Sequence, residues 1–165
     1  MIKVLFICLG NICRSPMAEF VFKDMVSKRG LSEKFLIESA ATSREAVGEG
    51  IYYGTRDILK EKGIPFTQHI SRQMTKEDYK KFDYILGMEE KNIKNIMTII
   101  GEDKENKVYR LLDFSENPRN IIDPWYYGNF DSTYYDIEEG CNKFLEYLSK
   151  NKYIWIWQKR KNTVK

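Results

Sequence analysis

The stretch from residue 2 to residue 16 reads IKVLFICLGNICRSP and predicts the start of an α/β fold. Ile2 to Ile7 form a short apolar run rich in β-forming residues, which is typical of a strand buried on both faces of a parallel sheet. A loop with a glycine and an asparagine follows over residues 8–15. Ser15 and Pro16 then predict a helix that begins there, with the serine as N-cap and the proline at the first helical position.

Strands and helices continue to alternate along the chain. Further strands are predicted over 36–40, 84–86 and 108–112, and further helices over 55–62, from Thr75 onward, over 90–100 and over 132–150. The buried face of the last helix is expected to comprise Tyr135, Cys141, Phe144, Leu145 and Leu148. This alternation predicts a parallel sheet covered by helices on both faces. Ligands bind such sheets beyond the carboxyl ends of the strands, which is where the loop over residues 8–15 lies.

The composition is that of a globular protein. The chain has 165 residues, 42% hydrophobic and 31% charged, which suits one domain and excludes a disordered tail or a collagen-like fibre. No apolar run reaches the roughly 20 residues that span a bilayer. The apolar start is too short for the core of a signal peptide, so we expect a soluble cytoplasmic protein.

The basic charge is concentrated at the C-terminal end. Residues 150–165 contain six basic residues and no acidic one, whereas residues 1–149 contain 21 basic and 24 acidic residues, a formal charge of −3. A nucleic-acid-binding protein would spread basic side chains over a docking face, so we expect no nucleic-acid partner.

The loop over residues 8–15 has the composition of an anion-binding site. Backbone N–H groups in a tight strand-to-helix turn can converge on one point, and the helix N-terminus adds partial positive charge. Arg14 adds a planar guanidinium that can hold two phosphate oxygens. The same surroundings favour a thiolate at Cys8, which would then be a nucleophile at the floor of a phosphate-binding loop. The alternative is that Cys8 is a core residue at the end of a strand and Arg14 a surface residue.

A thiolate that attacks a phosphate ester needs a proton donor for the leaving oxygen. His69 is the only histidine, nothing in the sequence places it beside the loop, and a structural role is the interpretation we favour. Asp123 is the better candidate, because Pro124 stiffens its loop and the aromatic residues 125–127 suit the wall of a pocket for an aryl group. The alternative is a turn aspartate with those aromatic rings packed inward.

Several motifs together resemble the low-molecular-weight protein tyrosine phosphatases in their bacterial form. They are Val4–Glu19, Ser39–Ser43, Gly63–Pro65, His69–Gln73, Phe82–Leu86 and Asp123–Tyr126. The resemblance covers residues 1–150 as one phosphatase domain and leaves residues 151–165 as a C-terminal extension. It implies a three-layer, flavodoxin-like fold with a four-stranded parallel sheet.

The resemblance also implies a two-step reaction that uses no metal and no cofactor. Cys8 is expected to attack phosphorus and form a phosphocysteine, Arg14 and the loop amides to hold the phosphate oxygens, and Asp123 to protonate the leaving phenol and then activate water. The expected binding residues are Leu9, Gly10, Asn11, Ile12, Cys13, Ser15, Trp125 and Tyr126, with Ser39 and His69 as supporting residues. The expected partners are a tyrosine-phosphorylated protein as substrate, and inorganic phosphate or vanadate as ligands.

The family pattern assigns further roles within the loop. Ser15 is expected to hydrogen-bond to the Cys8 thiolate, and Asn11 to hold a strained loop backbone. Cys13 matches a second loop cysteine that can form a reversible disulfide with Cys8 under oxidation. Ile12 favours phosphotyrosine, because a related branch that acts on phosphoarginine has threonine at this position.

The chain departs from the family pattern at three places. Many members have an aromatic residue near Glu45, so one aromatic wall is missing here or is supplied by Tyr52 or Tyr53. The family usually has Met-Asp after the third strand, where this chain has Met88-Glu89. The extension over residues 151–165 alternates aromatic and β-branched residues before a basic cluster, a pattern closer to a strand than to a helix. Contact with an acidic membrane surface is one interpretation of the extension, and a disordered or body-packed extension is the one we favour.

Rival functions require residues that the chain lacks. A thioredoxin-coupled arsenate reductase of the same fold needs two more redox cysteines in the second half, where only Cys141 is present. A protein arginine phosphatase of the same fold is the other enzymatic alternative, and a phosphate-binding module without turnover is the non-enzymatic one. A zinc site would need a cysteine and histidine set that is absent, and a nucleotide-binding P-loop would need lysine where Arg14 stands.

Overall fold

The four predicted strands form one parallel sheet. The structure is a computed structural model, and it describes residues 1–151 of the chain. The strand order is β2-β1-β3-β4, in which β1 is Ile2–Cys8, β2 is Phe35–Ala41, β3 is Tyr84–Gly87 and β4 is Val108–Arg110. This order matches the first four strands of the flavodoxin-like arrangement. The predicted extension over residues 151–165 lies outside the described residues, apart from Asn151.

Helices cover both faces of the sheet and confirm the predicted three-layer fold. They are α1 (Arg14–Lys28), α2 (Tyr53–Glu61), α3 (Lys76–Lys81), α4 (Glu90–Ile100), α5 (Pro124–Tyr127) and α6 (Phe130–Asn151). Helices α1, α2 and α6 pack together on one face, and α3 and α4 lie on the other. In the part of the chain that the structure describes, no helix combines the length and the apolar character needed to cross a bilayer.

The apolar residues of β1 contribute side chains to the core on both faces of the sheet. Alternate residues of a strand point to opposite faces of its sheet. Phe6 accordingly packs edge-on against Phe22 of α1, with ring centroids 5.8 Å apart, and Phe144 of α6 completes this aromatic cluster. Leu5 and Ile7 belong to the smaller cluster beneath α3 and α4. Burial on both faces therefore explains why β1 shows no polar alternation.

Helix α1 begins earlier than predicted. It starts at Arg14 with Cys13 as N-cap, no side chain caps it, and Pro16 is its third residue. The prediction of Ser15 as N-cap is wrong because the Ser15 hydroxyl makes different contacts, with Cys8 and Asn11. The loop between β1 and α1 therefore comprises residues 9–13, three residues fewer than the predicted loop over residues 8–15.

Two further predictions differ from the structure in detail. Tyr135 is 54% exposed, and the buried tyrosine of α6 is its neighbour Tyr134, which is 5% exposed. Tyr134 shares the helical spacing of Ile137 and Cys141, whereas Tyr135 does not. The fourth strand ends at Arg110, because residues 111–114 turn into a 3₁₀ helix.

The topology creates a crevice at the carboxyl end of β1. The connection from β1 leads to α1 on one face of the sheet, and the connection from β3 leads to α4 on the other face. The two loops therefore diverge, and the space between them is the position at which open α/β sheets bind ligands. Cys8 is the last residue of β1 and lies at this point.

Candidate active site

Two N–H donors and one hydroxyl group converge on the sulfur of Cys8. The Asn11 N–H donates to Sγ at 3.2 Å and the Ser15 N–H at 3.4 Å. The Ser15 hydroxyl oxygen lies 3.0 Å from the same atom. The Ser15 amide belongs to the first turn of α1, so the partial positive charge of that helix end adds to the field. Such surroundings stabilise a negatively charged sulfur.

Asn11 fixes the shape of the loop. Its φ of 57° is in the left-handed region, which is costly for a residue with a side chain. Its Nδ2 group donates to the hydroxyl oxygens of Ser15, at 2.8 Å, and Ser39, at 2.9 Å. His69 Nε2 donates to the Asn11 carbonyl oxygen at 2.8 Å, and the Arg72 N–H donates to Asn11 Oδ1 at 3.3 Å. Contacts from two distant segments, at Ser39 and at residues 69–72, therefore hold the strained conformation.

Arg14 is buried and is held in place by groups from two other loops. Its guanidinium donates to the Glu89 carboxylate and, at 2.8 Å, to the Ile121 carbonyl oxygen. It also donates to Asp123 Oδ2 at 3.3 Å. Glu89 is placed at the end of β3 by Asn92, whose Oδ1 accepts the N–H groups of Met88 and Glu89. Glu89 thus reaches the arginine of the loop.

Asp123 lies beside Arg14 because a short helix begins there. It is the N-cap of α5, and its Oδ1 accepts the Trp125 N–H at 3.0 Å. Pro124 occupies the first helical position, where the missing N–H costs nothing. The sequence predicted only a long loop here. The structure brings Cys8, Arg14 and Asp123 to one cavity, and places His69 behind the loop on Asn11.

The cavity above Cys8 has a volume of about 230 Å³. Most of the predicted binding residues line it, namely Leu9, Gly10, Ile12, Cys13, Trp125 and Tyr126. Asn11 and Ser15 are fully buried beneath the loop and do not line the cavity. Glu45, Ala46 and Glu49 also line the cavity and form a second wall of it. In the sequence, Glu45 was notable only because many family members have an aromatic residue near this position. No sequence feature indicated that Glu49 would line the cavity.

The aromatic wall is exposed, and Tyr52 supports it. Trp125 is 53% and Tyr126 is 69% exposed, so the alternative of inward-packed rings is wrong. The Tyr52 ring lies 4.8 Å from the Trp125 ring and stacks on Phe130 at 5.7 Å, measured between centroids. Gly54 makes room for Phe130, because a Cβ there would lie 2.5 Å from the ring. Tyr52 therefore contacts the wall from behind and does not line the cavity.

Three neighbouring segments are tied by hydrogen bonds to the loop that follows β1. The Thr42 N–H donates to the Cys8 carbonyl oxygen at 3.0 Å, and the Tyr52 N–H donates to the Ile12 carbonyl oxygen at 2.9 Å. The Ser71 hydroxyl donates to the Gly10 carbonyl oxygen at 2.8 Å. Ser71 lies in the motif His69–Gln73, but the sequence indicated no role for it, because that role depends on a contact between loops 61 residues apart.

The three cysteines differ in their surroundings, which predicts selective alkylation. Burial raises the pKa of Cys13 to about 12, and the neighbouring Cys8 and Asp123 add to this rise. Burial also raises the pKa of Cys141, which lies in the core beneath α6. A thiol with a pKa near 12 is ionised in only about one molecule in 10⁵ at pH 7. Iodoacetamide at pH 7 is therefore expected to modify Cys8 first, as measured by peptide mass mapping over time.

Inorganic phosphate provides the control for this labelling. Phosphate bound in the loop is expected to slow modification of Cys8 and to leave the rate at Cys141, which lies outside the cavity, unchanged. Equal rates at all three cysteines, or at Cys8 and free glutathione, would contradict an activated sulfur.

Comparison with known proteins gives a consistent result. A family model described as "Low molecular weight phosphotyrosine protein phosphatase" matches residues 3–153. The Bacillus subtilis low molecular weight protein-tyrosine-phosphatase YfkJ is 39% identical over 156 residues, which cover 93% of this chain and all of that protein. Its crystal structure superposes with a TM-score of 0.89, covering 92% of this chain and 97% of that one at 40% identity.

Two further relatives come from animals. The human low molecular weight phosphotyrosine protein phosphatase is 40% identical over 149 residues, which cover 87% of this chain and 94% of that protein. The crystal structure of a Drosophila arginine phosphatase is 30% identical with a TM-score of 0.84, covering 92% of this chain and all of that one.

Proposed function

This chain belongs to the low molecular weight phosphotyrosine protein phosphatases, a family of phosphoric monoester hydrolases, and we propose that it acts through a phosphocysteine formed on Cys8. The observation that carries this mechanism is the convergence of the Asn11 N–H, the Ser15 N–H and the Ser15 hydroxyl on one sulfur atom. A thiolate so stabilised is ready to attack without a neighbouring base.

In the first step the Cys8 thiolate attacks phosphorus and the bond from phosphorus to the aryl oxygen breaks. The electron pair of that bond passes to the phenolic oxygen, which takes a proton from the Asp123 carboxyl group. Arg14 and the N–H groups of the loop bind the phosphate oxygens and stabilise the charge that develops on them. The products of this step are a free phenol and a phosphocysteine.

In the second step Asp123 acts as a base. Its carboxylate takes a proton from a water molecule whose oxygen attacks phosphorus, and the bond between sulfur and phosphorus breaks. The thiolate of Cys8 is regenerated and inorganic phosphate leaves. Asp123 is suited to both roles because the N-cap position of α5 holds it at the same cavity as Cys8.

Glu89 supports this mechanism through Arg14. The buried guanidinium is already held by Glu89 and the Ile121 carbonyl oxygen, so it requires little reorganisation when phosphate binds. The departure at Glu89 from the usual aspartate therefore keeps a carboxylate beside the arginine.

The cavity favours an aryl phosphate. Ile12 presents an apolar side chain to the cavity, and Trp125 and Tyr126 present aromatic rings to it. A flat phenolic ring packs well among such groups. The likeness to the Drosophila arginine phosphatase keeps phosphoarginine as the alternative substrate. An arsenate reductase relay is disfavoured, because the remaining cysteine, Cys141, is fully buried in α6.

A side-by-side assay tests the substrate class. Peptides of one sequence that carry phosphotyrosine, phosphoserine or phosphoarginine would be compared by phosphate release, with Cys8→Ser as the blank. We expect phosphotyrosine to be hydrolysed at least about 100-fold faster than the other two, because the wall contacts are made with an aromatic ring. A higher kcat/KM for phosphoarginine would assign the chain to the alternative.

A further inference from the structure

Two glutamates stand at the rim of the active-site cavity with free carboxylates. Glu45 and Glu49 both line the cavity that contains Cys8, and both are exposed to solvent. Within residues 1–151, no hydrogen bond or ion pair engages either carboxylate. The mechanism proposed above uses neither residue. Unpaired charges at the mouth of a substrate cavity act on whatever part of the substrate remains outside it.

The backbone beneath these glutamates is fixed. The Glu49 N–H donates to the Ala46 carbonyl oxygen at 3.0 Å, and the Ser71 N–H donates to the Glu49 carbonyl oxygen at 2.8 Å. The Ser43 N–H donates to the Leu9 carbonyl oxygen at 3.1 Å, which ties the segment before Glu45 to the catalytic loop. The two carboxylates therefore stay at the rim while their side chains remain free to meet a ligand.

No cation of the described residues forms an ion pair with either rim glutamate. Among the described residues that line the cavity, Arg14 alone is cationic, and its guanidinium is engaged by Glu89 and Asp123 at the floor. Arg44 is adjacent to Glu45 in the chain, but its Nε donates to Gln73 at 2.9 Å. The negative charge of this wall is thus available to a bound substrate.

The charge is confined to one side of the cavity. On the other side of Asp123 and Tyr126 the surface carries Lys91, the amides of Asn95 and Asn120, and Glu89, whose carboxylate is paired with Arg14. A peptide that places its phosphotyrosine over Cys8 would therefore extend over an acidic wall in one direction and over a surface with a lysine in the other.

We propose that Glu45 and Glu49 select protein segments that carry lysine or arginine beside the phosphotyrosine. This inference rests on the proposed function, since it concerns the same cavity. The phosphate group itself gains nothing from the rim, because two carboxylates repel a dianion. A basic residue next to the phosphotyrosine removes that disadvantage and gains an ion pair, whereas an acidic residue adds to the repulsion. Exposed ion pairs of this kind change affinity by roughly 1.4-fold to 5-fold each.

The experiment compares five versions of one phosphotyrosine peptide. Two versions carry a pair of lysines, either before or after the phosphotyrosine, and two carry a pair of glutamates at the same places. The fifth version has alanines at all of these positions. At low ionic strength we expect lysine to be preferred over glutamate by roughly threefold to tenfold in kcat/KM, on one side of the phosphotyrosine more than the other. The difference is expected in KM, because the contact is the same in the ground state and the transition state. It is expected to shrink at about 1 M salt, where the screening length is roughly 3 Å.

Variants assign the preference to the two residues. The double variant Glu45→Gln/Glu49→Gln is expected to remove the preference for lysine over glutamate. The double variant Glu45→Lys/Glu49→Lys is expected to reverse this preference. The control is Glu77→Gln/Glu102→Gln, which makes the same change in net charge at two exposed positions away from the cavity. Because the ratio between peptides is measured within each variant, a loss of folded protein does not affect it.

The outcomes separate this inference from the function on which it rests. If no version of the phosphotyrosine peptide is hydrolysed, the proposed function fails. If all versions are hydrolysed with equal kcat/KM, or if the preference persists in the double glutamine variant, the rim does not select basic segments and only this inference is overturned.

Discussion

Replacing Cys8 with serine is expected to lower kcat/KM for phosphotyrosine peptides by about 10⁴-fold or more, while phosphate binding persists. The described groups within hydrogen-bond distance of the sulfur are two N–H groups and the Ser15 hydroxyl. None of them is a base that could activate a serine. The hydroxyl would therefore stay protonated and unreactive, whereas the loop amides and Arg14 would still bind the substrate.

The measurements are steady-state hydrolysis and calorimetric binding of a phosphotyrosine peptide to Cys8→Ser. Cys141→Ala is the matched control, because it removes a buried sulfur from the core beneath α6 and should retain turnover once its thermal stability is checked. Hydrolysis by Cys8→Ser within about a hundredfold of the unmodified chain would exclude Cys8 as the nucleophile. Loss of both binding and folding would instead assign Cys8 a structural role.

Replacing Asp123 with asparagine is expected to slow hydrolysis of phosphotyrosine by about 10²-fold to 10⁴-fold. Asparagine can keep the hydrogen bond from the Trp125 N–H and is a good N-cap, so α5 should survive. Its amide cannot supply a proton to the leaving oxygen. The loss should therefore be largest for poor leaving groups and small for an activated phenol such as p-nitrophenol.

A series of aryl phosphates with different leaving-group acidities provides the measurement. Asp57→Asn is the matched control, because Asp57 is exposed on α2 and does not line the cavity. The asparagine variant at 123 should show a steeper dependence of kcat on the leaving group than the unmodified chain. An equal loss across the series would show that Asp123 acts by positioning Arg14 or α5 and not as the acid.

The sequence predicted the fold well wherever one local pattern determined the outcome. The unbroken apolar run in β1 predicted a strand buried on both faces, and the helix predicted from Thr75 onward is α3, with Thr75 as its N-cap. Errors arose where two functions competed for one side chain. Serine is a preferred N-cap residue, but the hydroxyl of Ser15 contacts Cys8 and Asn11. The helix-capping propensity of a residue is a local property, so it does not include the contacts that compete for the same side chain.

The site was predictable where its residues are adjacent in sequence and not where they meet only in space. Cys8 and Arg14 belong to one loop, and Asp123 was identified from its proline and aromatic neighbours. Glu89 was visible only as a departure from a family pattern, since its contact with Arg14 spans 75 residues. Glu49 had no sequence signal at all, because its position at the rim follows from how its loop is tied to neighbouring loops.

The left-handed backbone of Asn11 has a consequence for the energetics of binding. Because hydrogen bonds to Ser39, His69 and Arg72 hold that conformation, its energetic cost is met during folding. The loop that follows β1 is then preorganised, and an incoming phosphate does not have to induce its shape. Affinity for the phosphate thus depends on the rigidity of segments far from the substrate, so a loosening around residues 69–72 would weaken recognition without touching any group that contacts it.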